Sequence, residues 1–225
     1  MQRQKMPVKA IERADGAITR GIFLREMAGI ASVTAAMAGC GKEGDGVNLG
    51  SGDVGILNYA YALEQLQAAF YAAAVDSLYN GITASEQALL TDIRDHEIVH
   101  REFLKTALDA NAIPALKIDF SKVSFSSRES VLTTARTLED LGVAAYNAAG
   151  KLIKGVDNLL LAGKIVSVEA RHAGYIRDLI SNGSFADNTA VDLKGLDLVK
   201  TPKEVLASAS AYLKSKLNTN YLPAS

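Results

Sequence analysis

Four glutamates lie in stretches otherwise patterned for burial, and no other feature of the chain limits its fold so sharply. Glu64 shares a helical stripe with Leu57, Ala60, Tyr61, Ala68 and Tyr71, and Glu139 shares one with Leu132, Ala135, Val143 and Tyr146. Residues three or four apart on a helix lie on one face. Both carboxylates therefore project from mostly apolar stripes, with Gln67 and Arg136 as the polar exceptions. The other two glutamates stand in Glu-x-x-His pairs, Glu97 with His100 and Glu169 with His172. Each pair projects together from one helical face. A buried carboxylate left alone costs several kcal/mol even after relaxation, and four together also repel. Two divalent cations would neutralise four carboxylates, and two neutral imidazoles would complete their shells.

The rest of the pattern supplies helices to carry these groups. Apolar residues recur at helical spacing from Asp53 to about Leu78, and Asn80-Gly81 ends that helix. Thr83 with Glu86 forms a capping-box pattern that opens a second helix, running to about Ala110. Ser126 with Glu129 predicts the start of a third, which fades near Gly155, and a fourth runs from about Asp157 to Ile180 before Asn182-Gly183. Thr201-Pro202-Lys203-Glu204 predicts a short fifth helix. Between helices two and three, Pro114 to Phe125 reads as an extended connection. About fifteen extended residues reach about 50 Å, enough to cross a bundle of helices about 35 Å long.

The chain also repeats itself. Leu63-Glu64-Gln65-Leu66 and Ala69-x-Tyr71 match Leu138-Glu139-Asp140-Leu141 and Ala144-x-Tyr146. The two Glu-x-x-His pairs match as well, each followed three residues later by an aromatic, Phe103 or Tyr175. Two similar hairpins would pack about an approximate two-fold axis with the four glutamates on it. Glu64, Glu97, His100, Glu139, Glu169 and His172 are thus the expected metal ligands. Glu97 and Glu169 would bridge the metals, with Glu64 and His100 ending one position and Glu139 and His172 the other. Tyr71, Tyr146 and Gly142 are candidates for the layer around them, Gly142 as room for a small molecule. His96 faces about 100° away from Glu97 and belongs at the surface or behind the ligands. The competing arrangement is a metal-free core in which Arg94, Arg101 or Arg136 pairs with the glutamates.

Charge and thiols narrow the function. A formal net charge of −1 leaves no field to recruit nucleic acid. With 1 Cys there is no internal disulfide and no rubredoxin-type electron-transfer module.

Residues 1–40 read as an address. Arg3, Lys5, Lys9, Arg13, Arg20 and Arg25 precede a small-residue apolar run from Met27 to Gly39, then Cys40, in the order of a secretory signal. The run is shorter than the roughly twenty residues a spanning helix needs. Met37-Ala38-Gly39-Cys40 resembles a bacterial lipobox, with Met for the usual Leu, which implies lipidation at Cys40. Thr19-Arg20-Gly21-Ile22-Phe23-Leu24-Arg25 resembles a twin-arginine export motif with Gly21 in place of the second arginine. Residues 41–52 then suit a flexible tether, and residues 53–225 the folded domain.

Val168-Glu169-Ala170-Arg171-His172-Ala173 and Leu138-Glu139-Asp140-Leu141-Gly142-Val143-Ala144-Ala145-Tyr146 carry a family resemblance. They resemble the bacterial ferritin-like domain proteins related to plant desiccation-associated proteins. The resemblance implies a ferritin-like four-helix bundle with a di-iron centre, often on exported proteins. The expected fold is thus all-α, a bundle of that topology with one long crossover and a short fifth helix. The expected cofactor is two Fe ions, with Mn as the alternative because the same ligands suit it. Expected partners are dioxygen, peroxide or Fe(II), the membrane through a lipid anchor in the periplasm or cell envelope, and a second copy of the chain. Two functions fit: an oxidoreductase-type di-metal protein, or a non-catalytic stress-related envelope protein with the metals as a staple. Iron storage in a closed cage fits poorly with many acyl anchors.

Overall fold

The computed structural model describes residues 46–223. Its helices are α1 (Gly52–Asp76), α2 (Ala84–Leu108), α3 (Arg128–Gly150), α4 (Val156–Ile180) and α5 (Pro202–Ala209). The architecture is the expected one: an all-α bundle, a long α2–α3 crossover and a short C-terminal helix. The predicted export segment and Cys40 lie outside the described residues. Among the described residues no helix is long and apolar enough to cross a membrane.

α1 and α2 form one hairpin and α3 and α4 another, and the two are joined along α1 and α3. The outer helices bury narrow stripes. In α2 the buried positions are Glu86, Leu90, Ile93, Glu97, His100, Leu104 and Leu108, three or four residues apart throughout. α4 repeats the stripe with Ala162, Ile165, Glu169, His172, Ala173 and Ile176. Such a stripe is what an amphipathic helix presents to a bundle seam. α1 is different, because Tyr59 to Ala68 is buried without a break. Neighbours surround it: α2 and α3 on two sides, with the crossover on a third.

The crossover is tied to α1 by side-chain amides. Asn58 donates to the carbonyls of Leu49 and Asn111 and accepts from the Ile113 N–H at 2.9 Å. Gln65 accepts from the Leu116 N–H at 2.8 Å. Phe120 and Phe125 pack on Phe70, Phe120 edge-on. The C-terminal segment secures the far side, where Lys214 donates to the Lys117 carbonyl and Asp119 to that of Tyr212.

Three boundaries differ from expectation, each for a local reason. The cap of α3 is Ser127, whose side chain accepts from the Ser130 N–H, because Ser126 is engaged through its carbonyl with Asn80. α3 ends at Gly150 rather than near Gly155, since Asp53 accepts from the N–H groups of Lys154 and Gly155 and from Asn158, holding that stretch as a turn before α4. Residues 47–52, expected as the end of a tether, are part of the fold. Leu49 is fully buried, and β1 (Val47–Asn48) pairs in parallel with β2 (Leu217–Asn218).

Candidate metal centre

The central turns of α1 to α4 bring the six predicted residues to one place. Glu64, Glu97, Glu139 and Glu169 are 0% exposed, with His100 at 9% and His172 at 5%. Ligand-capable atoms of Glu64, Glu97, His100 and Glu169 lie within 4.8 Å of one another, and those of Glu97, Glu139, Glu169 and His172 form a second such group. Glu97 and Glu169 belong to both. His100 Nδ1 is 3.0 Å from Glu169 and 3.5 Å from Glu64, while His172 Nδ1 is 3.0 Å from Glu97 and 3.5 Å from Glu139. The equal pairs of distances express the two-fold relation anticipated from the repeat.

The groups are close but out of line for hydrogen bonding. Both Nδ1 atoms, both oxygens of Glu97 and of Glu139, and one oxygen each of Glu64 and Glu169 are buried without a hydrogen-bond partner. Buried polar atoms are rarely left so. Lone pairs that approach without pairing are aimed at a common point between them, as ligands of a cation would be. The donor set of carboxylate and imidazole fits iron or manganese.

The arginine-paired core does not form. Arg94 pairs with Asp95, Arg101 with Glu102, and Arg136 is exposed. Among the described residues, only His100 and His172 make ion pairs with the four carboxylates.

A family model described as a ferritin-like domain matches residues 52–182, more than half of the chain. The chain belongs to the ferritin-like domain family. No curated protein matches it. The matched segment of this ferritin-like chain runs from the start of α1 to just past α4, so it contains all six residues.

Without metal, this ferritin-like site is balanced by protons. Burial, then the charges of Glu169, Glu64 and Glu139, hold the Glu97 carboxyl well above its usual range. Burial and the charge of Glu64 lift Glu169 to about 7, although His100 and His172 pull the other way. For His100, burial disfavours the cation, but the nearby Glu169 and Glu64 outweigh it and raise the ring to about 10. His172 rises too, with burial opposed by Glu139 and Glu169.

The surrounding layer is partly two-fold. Tyr146 donates to Glu64 Oε1 at 2.5 Å, across from its own hairpin to the other. Tyr71 takes the mirror position beside Glu139; burial and then the charge of that carboxylate raise its pKa. Gln67 was legible only as a polar exception on the Glu64 stripe, and it proves to donate to Glu169 Oε2 at 3.1 Å. The space beside Gly142 is not open. A Cβ there would meet Glu169 Oε2 at 2.8 Å and Gln67 Nε2 at 3.2 Å. Gly142 and Gln67 occupy matching positions of the repeat, a missing side chain on one helix receiving a long one from the other. His96, exposed, reaches His172 with its ring.

Two cavities bear on access. A crevice of about 10 Å³ between α1 and α3 is lined by Tyr59, Ala60, Leu63, Ala145, Tyr146 and Ala149. Tyr146, which binds Glu64, is one of its lining residues. A larger cavity, about 290 Å³, lies outside the α3–α4 pair around Arg177 and Phe185 and includes none of the six residues.

The proton balance has a sign. The contribution of His100, raised from 6.5 to about 10, is fully present below about pH 6.5 and is lost as pH rises toward 10. Glu169, raised from 4.5 to about 7, keeps a proton that the unfolded chain releases, so it too lowers stability as pH rises from about 4.5 to about 7. The metal-free protein should therefore melt at progressively lower temperature between about pH 5 and pH 9. Thermal unfolding followed by circular dichroism tests this, and a flat or rising Tm would refute it. Gly142→Ala should displace Glu169 and Gln67 and weaken metal binding about 10-fold or more, as loss of outer-shell order does. A metal titration with wild-type affinity would show that the close approach at Gly142 is unimportant.

Proposed function

We propose that the chain binds two iron ions and oxidises Fe(II) or reacts with dioxygen or peroxide at that pair. The observation that carries this is the sharing of Glu97 and Glu169 between two buried four-residue clusters. In this reading Glu97 and Glu169 would be shared by both ions, Glu64 and His100 would complete one position, and Glu139 and His172 the other. A bound iron pair supplies two-electron chemistry toward oxygen or peroxide. The protein's part is to position and to enclose. Carboxylates can shift between bridging and terminal binding as the metal charge changes, while the imidazoles hold fixed directions. Tyr146 fixes Glu64 by its hydrogen bond. The narrow crevice that Tyr146 lines has room for a molecule of only a few atoms.

The protein also fits a lipid-anchored, exported relative of the desiccation-associated ferritin-like proteins. Support for this is the basic segment, the apolar run and Cys40 in signal order. Several acyl groups at Cys40, as on the lipoproteins it resembles, would hold it firmly at a membrane. Cys40→Ser should then move the full-length protein from the membrane to the soluble fraction on cell fractionation. Retention in the membrane fraction would exclude lipidation at this residue as the anchor.

Anaerobic loading of the purified protein should give two Fe(II) per chain, and mixing with oxygen or peroxide should produce rapid optical changes over repeated turnovers. Glu139→Ala should leave one equivalent, whereas Glu169→Ala, losing a shared ligand, should weaken both. Tight metal with no reaction would instead favour the structural staple. Unchanged stoichiometry in Glu139→Ala would refute the ligand assignment.

A further inference from the structure

His172 Nε2, the ring nitrogen turned away from the carboxylates, lies 2.9 Å from Nδ1 of His96. The ring planes differ by 10° and the centroids are 5.2 Å apart. With the two nitrogens at 2.9 Å, the rings meet nitrogen to nitrogen rather than face to face. That is a well-directed hydrogen bond. A neutral His172 that offers Nδ1 to a metal carries its proton on Nε2, so Nε2–H donates and His96 Nδ1 accepts.

The repeat provides an internal control. His100 is the counterpart of His172, and the position matching His96 is Val168. No described residue hydrogen-bonds the outer nitrogen of His100. A second departure from symmetry lies at the two shared carboxylates and does not distinguish the two positions. Glu169 receives the Gln67 amide, while its counterpart Glu97 has both oxygens without a partner.

We infer that His96 is a positioning residue for His172, and that it makes the metal position formed by Glu97, Glu139, Glu169 and His172 the tighter of two unequal sites. Outer partners that fix the tautomer and direction of a ligating imidazole are worth 10–100-fold in metal affinity. This inference rests on the di-metal reading above and adds an order of filling to it. His96 is itself exposed, so its replacement leaves the packed core intact.

The probe is Co(II), titrated into metal-free protein and followed by its visible bands and by calorimetry. Wild-type protein should take up two equivalents in two resolved steps. His96→Ala should weaken the tighter step 10–100-fold and leave the other unchanged. His96→Asn, which keeps an acceptor near the position of Nδ1, should restore most of the loss and the wild-type band positions. In a Glu139→Ala background, which lacks the His172 half, adding His96→Ala should change nothing. Failure of wild-type protein to bind two equivalents would overturn the di-metal reading and this inference with it. Two equivalents at indistinguishable sites would overturn the inference alone. So would His96→Ala weakening both steps alike or neither, no rescue by Asn, or an effect that persists without Glu139.

Discussion

Four carboxylates enclosed in a helical bundle must be balanced, and the structure is organised around that demand. At the middle of α2 and α4, where a bundle seam ordinarily takes leucine, stand Glu97 with His100 and Glu169 with His172. Replacing apolar packing with a charged layer costs stability unless the charges are compensated. Apolar layers on either side sustain the bundle. α2 and α4 run antiparallel here, so Leu90 and Ile93 of α2 lie on the same side of the charges as Ile176 of α4, and Leu104 lies on the other with Ala162 and Ile165. In the metal-free state protons held on the imidazoles and on carboxyls with raised pKa supply the balance. Cations and protons thus compete for one set of groups, and metal affinity depends on pH for the same reason.

The approximate two-fold relation explains why six residues can be placed so evenly, and its failures show where the halves differ. Tyr146 and Tyr71 preserve the symmetry in placement, each phenol crossing to the other hairpin, but only Tyr146 bonds its carboxylate, since the Tyr71 hydroxyl has no hydrogen-bond partner. Gln67 and Gly142 break it by complementarity, since two glutamines could not both occupy the space that one fills. His96 and Val168 break it outright. At Phe70 the difference is architectural: the crossover covers α1 and needs an aromatic there for Phe120 and Phe125, while the matching position on α3 is Ala145.

The helices and the convergence of the six residues were readable because both rest on periodicity. Glu97 and His100 share a face whatever surrounds them, and the capping boxes at Thr83 and Thr201 are local hydrogen bonds that the structure retains. What escaped depends on contacts between distant segments. Ser126 and Ser127 are equivalent by local chemistry, and only the Asn80 contact decides between them. Leu49 reads as part of a polar spacer until β2, far along the chain, provides its partner strand. Gln67 lies one turn from Glu64 on the buried stripe, a position from which a polar side chain must find a partner. That it reaches Glu169 follows from the opening opposite, at Gly142. His96 reads as a residue at the surface or behind the ligands, but its bond to His172 was not legible, because its direction on α2 points out of the bundle and only α4 brings a ring within range.

Burial limits what such a centre can meet. The four carboxylates are fully enclosed, and the α1–α3 crevice lined by Tyr146 has room for about one water molecule. The exposed ring of His96 hydrogen-bonds to an imidazole facing the carboxylates, so a hydrogen-bonded contact joins the buried layer to the surface of α2. The carboxylate layer is thus fully enclosed, yet linked to the surface through one imidazole pair.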